Sequence, residues 1–109
     1  MPKREPRTLL EVIYWRTGSL RTTYRVGLLI QQWAVCRRDL GRRPEVTEYA
    51  AWWKISERTA YRQLADFAQA FPEEDYPERI ALWLIDRGDE LVENAALILS
   101  LAPAELAAA

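Results

Sequence analysis

The sequence has no histidine and a single cysteine, Cys36. The first absence removes Ser-His-Asp and Cys-His nucleophile pairs and every histidine-containing zinc site. The second removes cysteine-rich zinc sites and any disulfide within the chain. A lone cysteine fits a reducing compartment. Carboxylates are plentiful, but no spaced pair in an apolar cleft can be picked out. An enzyme is therefore not expected, and neither is a cofactor or a metal. A membrane-length apolar run is missing too. The longest apolar stretch, Ala95 to Ala102, is interrupted by Ser100 and falls far short of the ~20 residues a membrane helix needs. The N-terminal Met1-Pro2-Lys3-Arg4 is followed by no apolar segment of signal-peptide length, so a cytoplasmic location is expected.

Net charge is nearly absent as well, at −1 from 15 Lys+Arg and 16 Asp+Glu. The 109 residues, 50% hydrophobic and 28% charged, fit one globular domain spanning 1–109. The charge is unevenly spread. Residues 1–43 hold ten basic and three acidic groups, net +7. Residues 71–109 hold two basic and nine acidic groups, net −7. Such asymmetry suggests that one end meets a polyanion, with the acidic end pointing away from it. The alternative is an intramolecular match, in which the two ends pack together.

The patterning is helical throughout. Thr8 with Glu11 is a capping-box signature that starts a first helix, stopped by Gly18. The β-branched and aromatic Val12-Ile13-Tyr14-Trp15 makes a strand the competing reading. Ser19 caps a second helix over 20–40, with Val26, Leu29, Ile30, Trp33 and Leu40 at helical spacing. Cys36, beside that stripe, reads as a small buried hydrophobe. Gly41 and Pro44 are stop signals. Thr47 caps a short helix over Glu48–Lys54, whose inward stripe is Val46, Tyr49, Ala50 and Trp53. Ile55-Ser56 makes a turn, and Ser56 caps the next helix, Glu57 to Ala70. There, Ala60, Leu64, Phe67, Ala68 and Phe71 share one face, and Arg58, Tyr61, Arg62, Ala65 and Gln69 the opposite one. Trp15, Trp33, Trp53 and Trp83 are expected in the core, and Trp52 off it.

Residues 46–64 carry the functional signal. Ala50 is small where two crossing helices approach, Lys54 is the turn residue, and Ile55-Ser56 and Ser56-x-x-Thr59-x-x-Arg62 follow. This spacing resembles the helix-turn-helix of bacterial transcription regulators. Two departures stand out. Lys54 occupies a position where Gly is usual, so it must accept a left-handed backbone. Gln63 stands where an apolar residue is common, and Leu64 is expected to take over its contact. The resemblance implies a tri-helical helix-turn-helix core over 20–71, and no pair of strands follows that could make a wing.

Such a motif binds double-stranded DNA by placing its second helix in the major groove. Arg58, Arg62 and Tyr61 are the base-reading candidates, since Arg bonds guanine O6 and N7 in bidentate fashion. Glu57 favours the helix dipole and could accept from cytosine N4. Ser56 and Thr59 are candidate phosphate contacts beside the helix N-terminal amides. Arg37, Arg38, Arg42 and Arg43 are candidate backbone contacts that add affinity without sequence information. The bland alternatives are an Arg62–Asp66 pair on a solvated face and a cationic cluster favoured simply by a helix C-terminus.

The C-terminal third reads differently. After the acidic Phe71–Pro77 linker, one helix spans Glu78–Arg87 and a second runs from Glu90 to about Leu101, forming a hairpin over 77–102. Both are apolar nearly all round and want burial on every side. A homodimer interface through Ile80, Trp83, Leu84, Leu91, Ile98 and Leu99 is one solution. Packing on the chain's own N-terminal helices is the other. The expected fold is all-α with about six helices. The expected function is sequence-specific DNA binding by a small regulator, more plausibly a repressor, with no membrane association. The alternatives are a protein–protein adaptor, whose hairpin would hold a protein partner, and a partition or recombination accessory of a mobile element.

Overall fold

The computed structural model describes residues 8–88 and residue 90. Among these the chain is all-helical, with five helices and no strand. They are α1 (Leu9–Thr17), α2 (Leu20–Leu40), α3 (Val46–Trp53), α4 (Glu57–Ala70) and α5 (Glu78–Asp86). Beyond Glu90, the final helix expected to run to about Leu101, with its candidates Leu91, Ile98 and Leu99, lies outside the described residues. None of the described helices is long and apolar enough to cross a membrane.

Local chemistry explains the boundaries. Thr8 Oγ1 accepts from the Glu11 N–H at 3.2 Å, and Ser19 Oγ from the Thr22 N–H at 3.2 Å. Each satisfies one of the orphan donors of a helix start. Gly18 and Gly41 close α1 and α2 in the left-handed region, at φ 67° and 72°, where glycine meets no Cβ penalty. The start of α3 corrects the sequence reading. The helix begins at Val46, and Glu45, not Thr47, is its N-cap. The Glu48 carboxylate reaches back to accept from the Glu45 N–H at 2.9 Å. That reciprocal bond moves the first turn upstream.

The 21-residue α2 is the axis of the fold, in contact with each of the other four helices. Its buried stripe includes Val26, Leu29, Ile30, Trp33 and Cys36, and Leu40 is half-buried. Burial pushes the Cys36 thiol above its ordinary value. Trp33 is wholly buried, with its ring 5.3 Å from Tyr49 and 5.9 Å from Tyr76. Aromatic pairs at that spacing add to the area they remove from water.

α5 packs on α2 through Ile80, Ala81 and Leu84. Leu84 is fully buried and Ile80 nearly so, so neither offers surface to a second copy. The tryptophan expectations need a further correction. Trp15 and Trp83 are exposed, at 52% and 40%, while Trp33 is core and Trp53 half-buried. A short helix that is apolar on several sides has more apolar faces than its neighbours can cover. Ala68 on α4 is likewise exposed, and Ala70 takes the inward place expected of it.

The two charged ends meet. Arg16 pairs with Glu73 at 2.6 Å, and Arg37 with Glu78 at 2.7 Å. Glu78 also accepts from the Trp33 indole at 3.4 Å. The acidic segment therefore neutralises part of the basic one, as the intramolecular alternative requires. Its described portion does not form a separate pole.

Candidate nucleic-acid interface

α3 and α4 are joined by Lys54-Ile55-Ser56. Lys54 adopts φ 55° and ψ 44°, the only non-glycine residue in the left-handed region among those described. Its N–H bonds the Ala51 carbonyl at 3.3 Å and the Ile55 N–H bonds the Ala50 carbonyl at 3.0 Å. These bonds close α3 and turn the chain into α4. Ala50 is buried where α3 meets its neighbours.

The inward side of this pair carries one polar cluster. The Tyr49 hydroxyl lies 2.9 Å from both Gln32 Oε1 and Gln63 Oε1. A phenol has one proton, so one glutamine accepts it and the other turns its amide NH2 to the phenol oxygen. Burial raises the Tyr49 pKa well above the ordinary phenol range, so the hydroxyl stays protonated. The Trp53 indole donates to the Gln32 carbonyl at 3.1 Å. Gln63, a departure from the motif, is thus a tie between α4 and Tyr49, and Leu64 packs half-buried beside it.

The outward side of α4 presents Arg58, Tyr61, Arg62, Ala65 and Gln69, all exposed, with Tyr61 at 57%. Among the described residues, no side-chain hydrogen bond or ion pair engages Arg58 or Arg62, nor Arg21, Arg25 or Lys54. In particular, Arg62 makes no pair with Asp66. Ser56 and Thr59 engage each other. Ser56 Oγ accepts from the Thr59 N–H at 3.0 Å and donates to Thr59 Oγ1 at 2.9 Å. The Thr59 hydroxyl proton remains free to be donated outward.

The candidate backbone cations are differently placed. Arg37 is held by Glu78, and Arg38 pairs with neighbouring Asp39 at 3.2 Å. Arg42 grips Glu48 in bidentate fashion, at 2.8 and 2.5 Å. This pair, together with the Glu45 N–H, holds the Glu48 carboxyl down at about 2. The Arg43 guanidinium lies 4.6 Å over the Tyr76 ring. All four therefore have partners within the chain, away from α4. The cation that sequence reading missed is Arg25 on α2. It shares a groove of about 320 Å³ with Leu28, Thr59, Arg62, Gln63 and Asp66. Its signal was the exposed i,i+4 pair Arg21 and Arg25 on the flank of the apolar stripe of α2.

Comparison with protein-family models, with curated proteins and with solved structures finds no match to this chain.

Proposed function

We propose that the protein is a wingless helix-turn-helix DNA-binding protein, with α4 as its recognition helix and α2, α3 and α4 as its tri-helical core. The observation that carries this reading is the outward face of α4. It follows a tight left-handed turn, and it holds two guanidiniums and a phenol with no partners among the described residues. An unpaired guanidinium costs nothing to withdraw from a rival carboxylate, and it fits the acceptor pair of guanine. Arg58 and Tyr61 are aimed at base edges; Arg62 sits where this face borders the α2 groove. Thr59 and the α4 N-terminal amides suit backbone phosphates. Arg37 and Arg42 are weaker backbone contacts than their positions in the sequence imply, since each must first release a carboxylate.

The role that fits is a small transcriptional regulator acting as a repressor. The same reading extends to a homodimer on two half-sites about one helical turn apart, with Trp83 and Leu82 as its described exposed surface.

The test is selection of bound duplexes from a random pool, followed by Arg58→Ala. Removing one bidentate contact is expected to cost about 1–3 kcal/mol on the selected site and much less on random duplex. Equal loss on both would remove Arg58 from base reading. No retention of any duplex at low salt would favour the adaptor.

A further inference from the structure

Resting on the DNA-binding reading above, we infer that the groove between α2 and α4 seats one phosphodiester of the DNA backbone, with Arg25 and Arg62 as its two anchors. Arg62 is thereby a backbone anchor, not a base reader, and α2 contributes directly to the interface.

The groove brings together two guanidiniums from different helices, Arg25 and Arg62, neither paired among the described residues, over a half-buried apolar wall at Leu28. Thr59 adds a hydroxyl whose acceptor role is already filled by Ser56, which leaves its proton to donate. The Gln63 side chain is tied to Tyr49 and fixes the groove floor. Two guanidiniums and a hydroxyl match the acceptor oxygens of a phosphodiester. A guanine edge would instead be matched by one guanidinium, as for Arg58, and would leave the second cation without an acceptor.

On α4, Thr59, Arg62, Gln63 and Asp66 line the groove toward α2. Arg62 stands where that side borders the outward face; Arg58, one turn before it, and Tyr61 lie outside the groove. Asp66 is the one carboxylate lining the groove, a turn beyond Arg62 and in no ion pair among the described residues. It opposes a phosphate that slides toward it. The anion is therefore confined to the Thr59 end, which sets register along the strand.

The experiment measures the salt dependence of binding to the selected site and to a random duplex two helical turns long. Arg25→Ala is expected to weaken both equally and to lower the slope of log K against log salt by about 0.9, the loss of one phosphate contact. Arg62→Ala is expected to do the same, and the double variant to lose less than the two singles combined. Arg25→Lys keeps the charge and is expected to keep the slope. Arg79→Ala, an equal change of net charge on α5, is expected to leave it unaltered. Asp66→Asn is expected to tighten binding to both duplexes. An unchanged slope in Arg25→Ala, or loss of sequence preference in Arg62→Ala, overturns the phosphate clamp while leaving DNA binding intact. If the wild-type chain binds neither duplex, the DNA reading fails and the clamp falls with it.

Discussion

Lys54 is where sequence and backbone disagree most. A side chain in the left-handed region brings Cβ too close to the following carbonyl oxygen, at a cost of roughly 1–2 kcal/mol. Lys54 accepts that conformation because the bonds of the turn require it. Lys54→Gly is therefore expected to stabilise the fold by about 1 kcal/mol, after the larger backbone entropy of glycine in the unfolded chain is set against the relief. Chemical denaturation would read this as a higher midpoint with an unchanged slope. Lys54→Ala keeps the Cβ and is expected to gain nothing; an equal gain from Ala would show that the turn is not strained. The need for a left-handed residue here was legible in the spacing from Ala50 to Ser56. The partners of Arg37, Arg42 and Arg43 were not. Glu78, Glu48 and Tyr76 lie 41, 6 and 33 positions away in the chain, and only the packing of α2 against α3 and α5 joins them.

Helix starts that announce themselves by a local cap were easy to read. Thr8, Ser19 and Ser56 each bond the third residue along, a local chemistry that spacing reveals. The N-terminus of α1 has a second partner that spacing cannot reveal. The Leu9 N–H donates to Glu90 Oε1 at 2.8 Å, while Glu90 Oε2 holds Arg87 at 2.5 Å. A buried carboxylate at a helix start meets both an orphan donor and the positive end of the dipole. Glu90→Ala is expected to cost about 1–2 kcal/mol and to speed hydrogen exchange in the first turn of α1 ahead of α2. Exchange that rises evenly through the chain would mean that Glu90 acts on the fold as a whole and does not pin α1. The inward faces of α2, α3 and α4 were legible because each sets an apolar stripe against a polar one. Trp15 and Trp83 were not, since α1 and α5 carry apolar residues on several sides and periodicity alone selects no face.

At the scale of the molecule, the near-zero net charge divides into surfaces, not ends. Acidic and basic segments meet at Arg16–Glu73 and Arg37–Glu78. Among the described residues, the cations left without a partner are a smaller set on α2, α4 and the turn before α4. The same packing changes what the C-terminal third does. Ile80, Ala81 and Leu84 complete the core around α2, so α5 is packed into the domain that holds the candidate interface. A chain cut after residue 76 would expose the apolar side of α2 and lose the Glu78 bonds to Trp33 and Arg37. Such a chain is expected to lose cooperative thermal unfolding and to sediment as a broad distribution, while the full chain melts in one transition. A truncated chain that melts cooperatively as a monomer would show that α2, α3 and α4 fold without α5, and would return the C-terminal third to the part of a separable interface. Sedimentation of the full chain then bears on the dimer alone. With Leu84 and Ile80 already buried, Trp83→Ala is the described substitution expected to shift a dimer toward monomer, and an unshifted dimer would move the interface off α5.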